Sequence, residues 1–123
     1  MGKVDFDREK IMDKEIIGIV KKYIDLVEKH QPGLVTAYIF GSCARNNQRL
    51  ESDIDVALVI DNLSDNDKFD TQVRLMILAS TIDNRIEPHP ISSQDMKANN
   101  PFAVEIRKTG IEIKVNHHHR ING

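Results

Sequence analysis

Eight consecutive residues constrain this chain more than any others: Asp53-Ile54-Asp55-Val56-Ala57-Leu58-Val59-Ile60. Branched aliphatic side chains dominate the run, and in an extended backbone successive side chains point to opposite sides. Ile54, Val56, Leu58 and Ile60 therefore form one apolar face that belongs in a core, while Asp53 and Asp55 share the other face with Ala57 and Val59. The chain must contain a sheet with one strand that carries two carboxylates at its start.

The segments around that strand fall into alternating patterns. From about Asp7 to His30, Met12, Ile16, Ile19, Tyr23 and Val27 recur at helical steps, widened by Val20 and Ile24. His30-Gln31-Pro32-Gly33 stops that helix. Leu34 to Phe40 is a short β-rich run ended by Gly41-Ser42, and Cys43 to Arg49 has room for a turn or two of helix. Asp61 to Ser64 is the exit turn of the central strand. Ser64 with Asp67 makes a capping-box pattern with a short acid, opening a helix that carries Phe69, Val73, Met76, Ile77 and Ser80 on one face and ends near Asp83-Asn84. Arg85 to Ile91 is extended, but Pro88 and Pro90 each lack a ladder donor, which puts it at a sheet edge. Ser92 to Asp95 caps a short turn, Pro101 to Lys108 is a short helix stopped by Gly110, and Ile111 to Val115 alternates as a last half-buried strand. The order α-β-α-β-α-β-α-β predicts a single α/β (α+β) domain with a small mixed sheet flanked by helices.

Size and composition narrow the function classes. At 123 residues the chain is one domain, and 40% hydrophobic with 29% charged residues is ordinary for a globular protein. No apolar run approaches the roughly 20 residues of a membrane helix. Met1 to Arg8 lacks the apolar core of an export signal, so a cytoplasmic protein is expected. A net charge of −2 gives no bulk attraction to nucleic acid, and the lone Cys43 excludes an internal disulfide or a multi-cysteine zinc site. His117-His118-His119 sits in a segment read as a flexible tail, 117–123, after a domain spanning 1–116.

Asp53 and Asp55 repel each other, by roughly 1 kcal/mol in water and about 4 kcal/mol near a protein surface at contact distance. A cation removes that repulsion, and oxygen-rich sites suit Mg²⁺ or Mn²⁺ together with substrate phosphates. Asp-x-Asp by itself is also common as a solvated acidic turn. The nearby Asp61, Asp65 and Asp67 lack the glycine and the later glutamate of a calcium loop. Gly41-Ser42, eleven residues upstream, adds weight: glycine allows close backbone approach to phosphate, and Ser42 offers a hydroxyl and an N–H, although it serves equally as a helix cap.

Gly41-Ser42-Cys43-Ala44-Arg45 followed by Ser52-Asp53-Ile54-Asp55-Val56-Ala57-Leu58-Val59 resembles the core motif of the DNA polymerase beta-like nucleotidyltransferases, and within them the minimal nucleotidyltransferases paired with HEPN-domain proteins. The resemblance covers about Leu34 to Ile91. It implies a third carboxylate on a later strand, for which Glu87 is the candidate. Arg85, Glu87 and His89 share a face by alternation, so Glu87 is placed to meet the acid pair while Ile86 packs away. His89 would lie near the site, although an edge-strand histidine is more often a surface residue. Two positions depart from the family pattern: Asn46 stands where Gly is common, and Glu87 where Asp is frequent.

The resemblance further implies transfer of AMP from ATP to an acceptor hydroxyl. Asp53, Asp55 and Glu87 would hold two Mg²⁺ ions, with Mn²⁺ as an alternative, about 4 Å apart as in two-metal sites. Gly41, Ser42 and Arg45 would bind the nucleotide phosphates. A chain of this length has no room for an acceptor domain, so the implied acceptor is a protein hydroxyl, such as a tyrosine of a HEPN ribonuclease toxin, in a hetero-oligomeric toxin–antitoxin pair. An antitoxin that blocks its toxin sterically, or a stand-alone small-molecule nucleotidyltransferase, are the alternatives.

Overall fold

The structure, a computed structural model, describes residues 14–41 and 53–115. The expected helix spacing is realised in α1 (Lys14–His30), whose Ile16, Val20, Tyr23, Ile24 and Val27 are buried, while its expected first part from Asp7, with Met12, lies outside the described residues. A turn at Gln31 to Gly33 leads into β1 (Leu34–Phe40), and β2 (Ile54–Ile60) follows. Ser64 then caps α2 (Asp65–Ser80), accepting from the Asp67 N–H as its pattern predicts. The edge run becomes β3 (Ile86–Ser92). Ser92 caps the one-turn helix α3 (Ser93–Lys97), and Asn100 caps α4 (Pro101–Thr109), which carries proline in its first turn. The described chain closes with β4 (Ile111–Lys114). The helical turn expected between Cys43 and Arg49 and the tail at 117–123 lie outside the described residues.

The sheet order is β3-β2-β1-β4. β1 runs antiparallel to both β2 and β4, whereas α2 carries the chain back so that β2 and β3 lie parallel. The sheet is mixed, and the proline-bearing β3 is an edge, as its two missing donors require.

Both faces of the sheet are covered. On one face Ile54, Val56, Leu58 and Ile60 meet Ala37, Ile39, Ile111 and Ile113 under α1 and α2, and this is the main core. Tyr23 is fully buried there, and its hydroxyl donates to the Leu75 carbonyl at 2.9 Å, tying α1 to α2. On the other face Phe40, Ala57, Val59 and Ile91 pack beneath Ala103 and Ile106 of α4, with Met96 and Phe102 beside them. Ala57 and Val59, on the carboxylate face, are thus as buried as the residues of the main core.

One helix sits differently from its apolar pattern. α2 buries the small stripe Thr71, Leu75 and Ala79. Phe69 (75% exposed), Ile77 (61%), Met76 (51%) and Val73 (40%) face outward. The helix is held to the sheet instead by its buried stripe and by Gln72, whose side-chain N–H donates to the Pro88 carbonyl at 2.9 Å.

Candidate active site

The parallel pairing of β2 and β3 sets Asp55 opposite Glu87 and Ala57 opposite His89, while the β1 pairing sets Phe40 opposite Asp55. Side-chain alternation turns all of these toward the α4 face. Asp55 is half-buried, Glu87 is exposed, and His89 is half-buried. Ligand atoms of Asp55, Glu87 and His89 all lie within 4.8 Å of one another, the one such group among the described residues. Asp53, at the entry to β2, stands outside that group but lies close enough for its charge to act on Glu87.

The electrostatics report the same convergence. Desolvation holds the Glu87 carboxyl above the ordinary carboxylate range, and the charges of Asp53 and then Asp55 push it further the same way, with His89 opposing. Three carboxylates therefore crowd one end of two adjacent strands, a placement that favours either a shared proton or a cation. The donor set suits a hard divalent ion: carboxylate oxygens from two strands, on an accessible rim.

Gly41 closes the site from the β1 side. Its φ of +77° is a conformation that side chains other than glycine's rarely adopt, and a Cβ there would lie 2.5 Å from Asp55 Oδ2. The glycine expected to let backbone approach a phosphate thus also lets backbone approach the Asp55 carboxylate. Ser42 and Arg45, the other expected phosphate contacts, lie outside the described residues, as do Cys43 and Asn46.

His89 is the site residue that sequence reasoning underweighted. Its Nε2 lies 3.1 Å from Asp55 Oδ1, within hydrogen-bond distance. The ring packs against the Phe40–Phe102 pair, with centroids 5.1 Å and 6.0 Å away, and those two rings meet edge-on at 5.4 Å. Ala57, lying between Tyr38 and His89 in the pairing, has only a methyl group and leaves space for this cluster. The available signal was the alternation that puts His89 on the Glu87 face. Arg85, on the same alternation, is instead engaged by Asp83 at 2.9 Å, and that contact holds the Asp83 carboxyl below its usual range.

Two clefts bear on function. One, of about 610 Å³, lies at the far end of β2 against Asp61, Asp67, Asp70 and Arg74, away from the carboxylate group. A smaller cleft of about 230 Å³ joins Asp53 and Glu87 to Met76 and Ser80 of α2. Met76, from the outward face of that helix, thus shares a cleft with Asp53 and Glu87.

Acidic residues meeting across parallel strands beside a glycine turn are what two-metal phosphoryl transfer requires. The chain belongs to the polymerase beta nucleotidyltransferase family, whose model matches residues 21–119. No curated protein matches it by sequence. Solved structures share the fold. A Sulfolobus solfataricus protein described as a nucleotidyltransferase superposes with a TM-score of 0.62 at 20% identity, over 90% of each chain. A variant of the toxin–antitoxin complex MntA–HpeT gives 0.56 at 22% identity, covering 84% of this chain and 77% of that one. The complex of a tri-AMPylated Shewanella oneidensis HEPN toxin with its MNT antitoxin gives 0.54 at 19% identity, covering 87% and 78%.

Proposed function

We propose that this nucleotidyltransferase moves AMP from ATP to a hydroxyl of a partner protein and acts as the antitoxin of a HEPN-domain toxin in a cytoplasmic hetero-oligomer. The observation that carries the reading is the meeting of Asp55 and Glu87 across β2 and β3, with Asp53 in the same cleft as Glu87. The fold's likeness to antitoxins solved in complex with HEPN toxins, one of them AMPylated, supports the partner class. The outward stripe of α2 supports a macromolecular acceptor: Met76 shares the cleft of Asp53 and Glu87, and Val73, Ile77 and Phe69 extend an apolar surface beyond it. Among the described residues no helix is long and apolar enough to cross a membrane.

In the reaction, the acceptor oxygen bonds to the α-phosphorus, the bond from that phosphorus to the bridging oxygen breaks, and pyrophosphate leaves. Asp53, Asp55 and Glu87 would hold divalent cations, Mg²⁺ in the first instance, which supply charge neutralisation for the triphosphate and acidify the acceptor hydroxyl. Glu87 would also be placed to accept the hydroxyl proton. Gly41, Ser42 and Arg45 orient the phosphates, so that positioning and charge stabilisation provide the rate. The catalytic unit is residues 1–116, with 117–123 as an appended tail.

The test is transfer of label from α-labelled ATP to the cognate toxin in the presence of Mg²⁺, abolished by Asp53→Asn. A toxin neutralised without label, equally well by Asp53→Asn, would leave steric blocking through the α2 surface as the activity.

A further inference from the structure

His89 has no task in the transfer just described, yet its imidazole is the most firmly held group of the cluster. The imidazole packs against the Phe40 ring of β1 and the Phe102 ring of α4, which touch each other, and its Nε2 lies 3.1 Å from Asp55 Oδ1. Two adjacent ligands of an octahedral ion, each about 2.1 Å from it, stand about 3.0 Å apart, and opposite ligands about 4.2 Å apart. The separation of Nε2 from Oδ1 matches the adjacent pair. The 4.8 Å limit that encloses Asp55, Glu87 and His89 holds all three within reach of a single ion after small side-chain adjustments. The imidazole is also accessible, with 35% of its side chain exposed, so a cation can reach it without opening the fold.

We propose that His89 is a nitrogen ligand of the metal site, completing an Asp55–Glu87–His89 set that takes Mn²⁺ in preference to Mg²⁺. Mg²⁺ is a hard ion that keeps oxygen ligands and gains little from imidazole. A nitrogen donor favours first-row transition ions over Mg²⁺, and among them Mn²⁺ is the one that also suits carboxylate oxygens, so His89 shifts selectivity from Mg²⁺ toward Mn²⁺. Packing against the Phe40–Phe102 pair helps orient the imidazole, a task that hydrogen-bonding partners usually perform for a ligating histidine. A histidine that only steadied the Asp55 carboxylate would have the same contact distance but would never touch the ion. The inference rests on the cation-binding half of the proposed function and is independent of nucleotide transfer.

The experiment is electron spin echo envelope modulation on the protein loaded with one equivalent of Mn²⁺, with calorimetric titration of Mn²⁺ and Mg²⁺ alongside. The expected result is a ¹⁴N coupling in the wild type, converted to the ¹⁵N pattern when only histidine is ¹⁵N-labelled, and lost in His89→Gln. The ratio of Mn²⁺ to Mg²⁺ affinity should fall about tenfold in His89→Gln. The labelled wild type decides the matter even if the variant does not fold. Bound Mn²⁺ without histidine nitrogen coupling overturns the proposal, as does an unchanged affinity ratio in a folded His89→Gln protein or a failure to bind Mn²⁺ at all. Nitrogen coupling in a protein that transfers no label would sustain this inference while removing the transferase reading. Label transfer without the coupling would do the reverse.

Discussion

Replacing Glu87 with glutamine should stabilise the metal-free protein and abolish its stabilisation by Mg²⁺. Ligand oxygens of Asp55 and Glu87 lie within 4.8 Å of each other. At that separation two unit charges repel by about 0.9 kcal/mol in water and about 3.5 kcal/mol at the effective dielectric of a protein surface. Glu87 is exposed and Asp55 half-buried, so screening by water and salt places the relief near the lower bound, about 1 kcal/mol. For a domain of this size the gain is about 3–6 °C in melting temperature.

The pH dependence fixes the sign. Desolvation, then the charges of Asp53 and Asp55, raise the folded carboxyl above its unfolded value. A raised carboxyl contributes stability that is fully present below the unfolded pKa and lost as the pH rises through the folded one. In chelator, wild type and Glu87→Gln should therefore melt together below the ordinary glutamate value of 4.5 and diverge above it, with the variant the more stable at neutrality. Mg²⁺ should reverse the order. With an assumed affinity near 1 mM and 10 mM Mg²⁺, linkage adds about 1.4 kcal/mol to wild type alone. Differential scanning fluorimetry from pH 4 to 8, with chelator and with Mg²⁺, reads all of these terms. A variant that melts well below wild type in chelator, with an equal response to Mg²⁺, would show that Glu87 is a structural contact and that the carboxylates do not form a cation site.

Three further substitutions probe other parts of the molecule. Gly41→Ala should lower stability by about 1–2 kcal/mol through its left-handed backbone and should reduce label transfer further, because the new methyl meets Asp55 Oδ2; a variant with normal transfer would separate Gly41 from the site. Tyr23→Phe removes the buried hydrogen bond to the Leu75 carbonyl and should lower stability by about 1 kcal/mol with transfer unchanged, measured by urea unfolding; an unaltered midpoint would mean that the bond adds nothing. Ile77→Glu, on the outward face of α2, should leave stability within about 0.5 kcal/mol while weakening toxin binding about tenfold or more by calorimetry. Unchanged affinity would remove that helix from the partner surface.

Much of the frame could be read from local chemistry. The alternation of Ile54, Val56, Leu58 and Ile60 set the core face of β2, since the two-residue period of a strand leaves no other arrangement. Ser64 and Ser92 marked helix starts because their hydroxyls satisfy exposed N–H groups within the next turn, an interaction that needs no distant partner. Pro88 and Pro90 placed β3 at an edge because a missing donor is a property of the residue itself. Alternation also put Glu87 and His89 on one face, and the family resemblance, not the alternation, made Glu87 the candidate third carboxylate.

What the tertiary structure decided depends on residues far apart in the chain. Whether Asp55 faces Glu87 is set by the parallel register of β2 with β3, which α2 creates by crossing between them. The packing of His89 needs Phe40, His89 and Phe102 from three elements to meet over Ala57, and no period in the sequence contains that meeting. The orientation of α2 is the clearest case. Its largest apolar side chains, Phe69, Val73, Met76 and Ile77, point outward, while the modest stripe Thr71, Leu75 and Ala79 packs on the sheet. Hydrophobic content reveals that a helix has an apolar face, but which face meets the protein's own core is fixed by strand geometry and by contacts such as Tyr23 to Leu75. By itself the sequence determined the elements and the chemistry they carry, because both arise from neighbouring residues. Only the fold determined which of them meet, because that depends on long-range pairing.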